Sequence, residues 1–108
     1  MLRKHITDQY SVSEQITLAD VGTLAESGVT LIMCNRPDNE EAGQLTFAEV
    51  AAYAQSLHVD TVHIPFVGGQ MTADDVTAFR IAVENADKVH AYCRTGNRSS
   101  QIWQAAQE

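Results

Sequence analysis

Cysteine, basic residues and long apolar runs are all scarce in this sequence. The two cysteines and four histidines lack the spacing of a disulfide scaffold or a metal site, so we expect no metal, no cofactor and a reducing compartment. Seven basic residues against fourteen acidic ones give a net charge of -7, which argues against general nucleic-acid binding. No apolar run is long enough for a signal peptide or a membrane span, so we expect no membrane association and a cytoplasmic location.

Strands and helices are predicted to alternate along the chain. Strands are expected over residues 6–12, 29–34 and 59–66, and a last strand runs from Val89 into Cys93. Three helices are expected to begin after a threonine that is followed, three positions later, by an acidic residue. This order predicts one domain over residues 1–108, a three-layer α/β fold with a mostly parallel sheet of about four strands flanked by helices.

The segment around Cys93 is the strongest functional signal. Gly96 and Asn97 suit a tight loop, and Ser99 and Ser100 suit the start of a helix. Backbone N–H groups that converge at a helix N-terminus form an anion site and favour the thiolate form of a nearby cysteine. We therefore predict a reactive cysteine, aimed at a phosphorus or sulfur centre, rather than a buried structural one.

Arginines at two positions of the loop strengthen that prediction. Arg94 and Arg98 would both favour the thiolate, and the carboxyl ends of parallel strands bring such loops to one edge of the sheet. The loop after Cys34 and the turn after Phe66 are expected at the same edge.

Four pieces of sequence carry a resemblance to a known family. They are Ser-Val-Ser-Glu-Gln-Ile at 11–16, Asn-Arg-Pro-Asp at 35–38 with Glu40, Glu41 and Gln44, His-Ile-Pro at 63–65, and Ala-Tyr-Cys-Arg-Thr-Gly-Asn-Arg-Ser at 91–99. The sequence resembles the phosphatase-like domain of beta-lactamase hydrolase-like proteins, a bacterial family whose members have also been labelled sulfur transferases. The resemblance implies the fold of protein tyrosine and dual-specificity phosphatases, with Cys93 as the nucleophile.

The loop departs from the tyrosine phosphatase signature His-Cys-(x)5-Arg. Tyr92 precedes the cysteine, and the spacing to Arg98 is Cys-(x)4-Arg, which resembles the loop of single-domain rhodaneses. A shorter loop would hold phosphate less well but could hold a sulfane sulfur. The turn at 67–70 has no acid for a leaving oxygen, and Asp74 and Asp75 are favoured as helix caps.

These departures favour sulfur transfer through a persulfide on Cys93. The alternative is phosphoester hydrolysis through a phosphocysteine, and a third possibility is a silent module that binds an anion or a partner. The expected partners are a small anionic sulfur donor or phosphoester and a nucleophilic acceptor, which could be a protein. The oligomeric state stays open.

Roles for the individual residues follow from this interpretation. Arg98 would orient the anionic donor and Arg94 would steer it, while Ser99 would donate a hydrogen bond to the sulfur, cap the helix, or both. Thr95, Gly96 and Asn97 would complete the anion cradle. Arg36 and Asp38 would either orient or contact the substrate or stabilise a turn. Glu40 and Glu41 are expected in solvent, and Cys34 is expected to be a buried side chain rather than a resolving thiol.

Overall fold

The computed structural model describes residues 1–108 as five strands and four helices. The strands are β1 (Lys4–Thr7), β2 (Tyr10–Ser13), β3 (Leu31–Cys34), β4 (Asp60–His63) and β5 (Val89–Tyr92). The helices are α1 (Leu18–Glu26), α2 (Phe47–Ser56), α3 (Ala73–Glu84) and α4 (Asn97–Ala106). The sheet has the order β1-β2-β5-β3-β4, in which only β1 pairs antiparallel. None of the helices has the length and apolar character needed to cross a membrane.

The first strand differs from the prediction. Residues 6–12 do not form one strand, because the chain turns back between Thr7 and Tyr10 and makes a hairpin. The backbone N–H of Gln9 donates to the Thr7 hydroxyl at 3.0 Å, which stabilises this short polar turn. β1 is largely exposed at the sheet edge, whereas every residue of β2 is buried beside β5. The sheet therefore has five strands instead of about four.

Three of the helix starts are confirmed. Each begins with a capping box, in which the threonine accepts from the third helical N–H and the acidic side chain accepts from the threonine N–H. The pairs are Thr17 with Asp20, Thr46 with Glu49, and Thr72 with Asp75. The last helix differs, because α4 begins at Asn97, two residues before Ser99, with Gly96 at the N-cap. No side chain caps it, and Ser99 and Ser100 lie inside its first turn.

Two apolar clusters cover the two faces of the sheet. Tyr10, Val12, Val89 and Ala91 pack with residues of α3 and α4, while Tyr92 packs on the opposite face with residues of α1 and α2. Because β2, β3, β4 and β5 run parallel, their carboxyl ends meet at one edge of the sheet. The loops that follow these strands therefore lie together, as the sequence predicts.

Candidate active site

Cys93 follows directly after β5, and its sulfur accepts hydrogen bonds from the loop backbone. The Gly96 N–H donates to Cys93 Sγ at 3.0 Å, and the backbone N–H groups of Ser99, Thr95 and Arg98 lie close enough to the sulfur to lower its pKa as well. Burial alone would raise the pKa of the thiol, since the residue has no exposed surface. The four donors outweigh that effect, so the pKa of Cys93 lies below its usual range. This geometry favours the thiolate.

Gly96 makes the tight loop possible. Its φ of 99° lies in the left-handed region, which side chains with a Cβ seldom adopt. A Cβ at this position would lie 3.4 Å from the carbonyl carbon and oxygen of Ser13. The same Ser13 oxygen accepts from the Cys93 N–H at 3.4 Å. The cysteine loop therefore rests directly on the end of β2.

Arg98 links the cysteine loop to the two neighbouring loops. Its Nη1 and Nη2 each donate to one oxygen of Glu40 at 2.8 Å, and Nη1 also donates to the Phe66 carbonyl at 3.1 Å. Glu40, and to a smaller extent Cys93, raise the pKa of Arg98. The guanidinium is thus fixed beside the thiolate by a bidentate ion pair.

Glu40 does not lie in solvent, so the prediction for this residue is wrong. The hydrogen bonds from Arg98 lower the pKa of Glu40 to about 2. Arg36 acts in the same direction, whereas partial burial opposes the shift. Arg36 has no exposed surface, and it donates to Glu40, Glu41 and Gln15 at 2.9 to 3.0 Å. Arg36 therefore positions Glu40, and Glu40 in turn positions Arg98. Only Glu41 of the two glutamates is exposed, and it too is paired.

Asp38 lies outside this network. Its carboxylate accepts from the Phe47 N–H at 2.9 Å and so stabilises the start of α2, nine residues away, rather than its own turn. Arg94, Thr95 and Asn97 are exposed along the loop. The Thr95 hydroxyl accepts from the Asn97 N–H at 3.3 Å, so Thr95 and Asn97 mainly stabilise the conformation of the loop.

Ser99 contacts the sulfur through its backbone and not through its hydroxyl. The hydroxyl donates to Asn35 Oδ1 at 2.8 Å, and Asn35 Nδ2 donates to the Ile64 carbonyl at 3.0 Å. The expected hydroxyl bond to Cys93 and the expected helix cap are therefore both wrong. Asn35 has no exposed surface and joins the loops after β3 and β4 to α4. A polar residue directly after a buried apolar strand was the sequence signal for this role.

Cys34 is a buried free thiol that faces away from the candidate nucleophile. Its Sγ donates to the Arg36 carbonyl at 3.3 Å, and burial raises its pKa. Cys34 packs with Tyr92 on the α1 and α2 face of the sheet. Because side chains alternate along a strand, the residue after Tyr92 points to the other face. The geometry agrees with the structural interpretation of Cys34.

The fold and the cysteine loop together define a phosphatase-like protein with a cysteine whose sulfur accepts from the loop backbone. The chain belongs to the family described as beta-lactamase hydrolase-like protein, phosphatase-like domain, whose model matches residues 2–108. This finding confirms the resemblance seen in the sequence.

Individual relatives agree with the family. A curated beta-lactamase hydrolase-like protein from Agrobacterium fabrum is 29% identical over 99 residues, which are 91% of this chain but only 23% of the relative. A crystal structure from Neisseria meningitidis, provisionally named a phosphatase, is 36% identical with a TM-score of 0.83, and covers 92% of this chain and 71% of its own. The catalytic core of a PP-IP phosphatase from S. cerevisiae shares the fold at 12% identity, with a TM-score of 0.67 over 97% of this chain and 73% of its own.

Proposed function

We propose that this protein transfers a sulfane sulfur through a persulfide on Cys93. One observation carries the proposal: Glu40, the carboxylate bound beside the sulfur, cannot act as a proton donor, and Asp75 is held in a capping box, so neither supplies the acid of a phosphatase. Glu40 has a pKa of about 2 and is bound by both Arg98 and Arg36, so it is ionised near neutral pH. Hydrolysis of a phosphoester is accelerated by a side chain that protonates the leaving oxygen, whereas sulfite or a thiolate leaves without a proton.

The backbone donors of the loop suit this chemistry. Four N–H groups already converge on Cys93 Sγ, and they stabilise negative charge on sulfur without any proton transfer. The same groups would stabilise the terminal sulfur of a persulfide anion. The fixed guanidinium of Arg98 would attract an anionic donor and orient its outer sulfur towards the thiolate.

The proposed reaction consists of two displacement steps at sulfur and needs no cofactor. With thiosulfate as the donor, the Cys93 thiolate attacks the outer sulfur, a new S–S bond forms, and sulfite leaves with the electron pair of the old bond. A nucleophilic acceptor such as cyanide then attacks the outer sulfur of the persulfide. The product thiocyanate departs and the Cys93 thiolate is restored.

Phosphoester hydrolysis is the second candidate, because the relatives carry phosphatase names. Asp75 is held in a capping box with Thr72, but Asp74 in the first turn of α3 is exposed and makes no side-chain hydrogen bond. In this alternative Asp74 would protonate the leaving alkoxide. In this reaction Cys93 would form a phosphocysteine, and Asp74→Asn would lower phosphate release.

Parallel assays with two donors separate the candidates. The protein is incubated with thiosulfate and cyanide, and separately with an aryl phosphate, alongside Cys93→Ser and the matched variant Cys34→Ser. We expect thiocyanate formation that is lost in Cys93→Ser and kept in Cys34→Ser, since Cys34 lies on the other face of the sheet. Phosphate release without thiocyanate would establish the second candidate instead. A folded protein that turns over neither compound would indicate a binding module.

A further inference from the structure

A largely buried polar network lies on the face of the sheet opposite to the candidate nucleophile. Its centre is His90 of β5, which has no exposed surface. Both ring nitrogens are hydrogen-bonded to serines of β2: Nδ1 to the Ser11 hydroxyl and Nε2 to the Ser13 hydroxyl, each at 2.8 Å. Neither the persulfide chemistry nor the phosphatase chemistry described above uses this histidine.

The neighbouring contacts fix which nitrogen carries the proton. Arg3 Nε donates to the Ser11 hydroxyl oxygen at 2.9 Å, so the Ser11 proton is free to point at Nδ1. The Ser13 hydroxyl donates to the Glu14 carbonyl at 2.8 Å, so its oxygen accepts from Nε2–H. A neutral ring with its proton on Nε2 satisfies every member of the network. Burial, Arg3 and His5 lower the pKa of His90 to about 3, which agrees with a neutral ring.

Ser13 connects this network to the cysteine loop. Its backbone oxygen accepts the Cys93 N–H at 3.4 Å, and its backbone lies against Gly96 at the tightest point of the loop. The side chain of the same residue is held by His90 and by the Glu14 carbonyl. A shift of Ser13 would therefore displace the surface on which the four N–H donors are arranged around the sulfur.

We propose that His90 is a positioning residue for the cysteine loop, acting through Ser13 to keep the backbone donors aimed at Cys93 Sγ. The imidazole bridges two serines that are two positions apart on β2, and so it fixes the end of that strand relative to β5. An apolar side chain of similar size would leave both serine hydroxyls without this partner in a buried site. The strand end would then be held only by its backbone hydrogen bonds.

The test measures the pH dependence of Cys93 alkylation by iodoacetamide in a Cys34→Ser background. The midpoint of this profile reports the pKa of the thiol, and the reaction needs neither a sulfur donor nor a phosphoester. The proposal requires only an activated thiolate. It can therefore fail while the protein still transfers sulfur, and it can hold while the protein does not transfer sulfur. In His90→Leu we expect the midpoint to rise by about half a pH unit, which below the midpoint makes alkylation about threefold slower.

Two further variants separate positioning from general stability. His90→Gln offers one acceptor and one donor in place of the neutral imidazole, and should return the midpoint most of the way to the wild-type value. Ile32→Ala removes the direct neighbour of His90 on β3, which is equally buried but makes no polar contact, and should destabilise the fold without moving the midpoint.

Ser13→Ala keeps the test decisive if His90→Leu does not fold. It removes the hydroxyl that His90 holds but keeps the backbone oxygen, and it should raise the midpoint in the same direction. An unchanged midpoint in folded His90→Leu or in Ser13→Ala would overturn the proposal. An equal shift in Ile32→Ala would also overturn it, because the effect would then reflect core packing in general.

Discussion

Replacing Glu40 by glutamine tests the ion pair that fixes Arg98. The pKa of Glu40 falls from 4.5 to about 2 in the folded protein, mainly through Arg98. At about 1.4 kcal/mol per pKa unit, that difference sets an upper limit of about 3 kcal/mol on what the ionised Glu40 contributes to stability. The Glu40 side chain is 22% exposed, so solvent screening reduces the contribution. We expect Glu40→Gln to lower the free energy of unfolding by about 1–2 kcal/mol near neutral pH.

The pH dependence of this loss follows from the direction of the shift. Because the folded pKa is lowered, the stabilisation is complete above the unfolded value of 4.5 and is lost as the pH falls towards about 2. Urea unfolding of the wild type and Glu40→Gln should therefore differ most near neutral pH and converge in acid.

Glu41→Gln is the matched control for this experiment. Glu41 pairs with Arg36 at 3.0 Å but does not contact Arg98, and its side chain is 52% exposed. A smaller loss of stability is expected. Equal stability of Glu40→Gln and the wild type near neutral pH, or a difference that persists unchanged in acid, would refute the reasoning.

Three further predictions address the fold around the site. The pKa of His90 is about 3 in the folded protein against an ordinary value of 6.5, so stability should fall as the pH drops from about 6.5 towards 3. Urea unfolding should show a weaker acid dependence in His90→Gln than in the wild type, and an identical dependence would count against a buried neutral ring. Gly96→Ala should cost about 1–2 kcal/mol because of the positive φ, and should raise the alkylation midpoint of Cys93. Gly22→Ala, in the middle of α1 with open space around it, should instead be neutral or stabilising in the same urea assay, and equal losses would contradict the strain argument. Asp38→Ala should lose about 1 kcal/mol of unfolding free energy by removing a hydrogen bond at the start of α2, and leave Cys93 alkylation unchanged. A slower alkylation would place Asp38 in the site after all.

Local patterns in the sequence are enough to predict much of the fold. The apolar runs before Cys34 and Cys93 predict buried parallel strands, and the threonine–acid pairs predict three helix starts correctly. The hairpin between Thr7 and Tyr10 was missed because its turn contains neither glycine nor proline. The start of α4 was misplaced because the serines suited a cap, whereas the loop closes through backbone donors around a sulfur.

The contacts that organise the site were harder to predict, because they join distant parts of the chain. Arg98 and Glu40 are 58 positions apart, and Ser99 and Asn35 are 64 apart. Considered alone, a glutamate near an anion site is expected to avoid it, and only the positions of Arg98 and Arg36 explain the inward orientation of Glu40. The cysteine loop could be recognised because its donors, glycine and nucleophile lie within seven consecutive residues.

The most direct test of the account is mass spectrometry of the intact protein after brief incubation with thiosulfate. We predict the addition of one sulfur atom, located on Cys93 by peptide mapping, present in Cys34→Ser and absent in Cys93→Ser. Cyanide should then remove the added sulfur and release thiocyanate. A Cys93 that gains no sulfur, while the same preparation forms a phosphocysteine with an aryl phosphate, would contradict sulfur transfer and establish phosphoester hydrolysis as the chemistry of this loop.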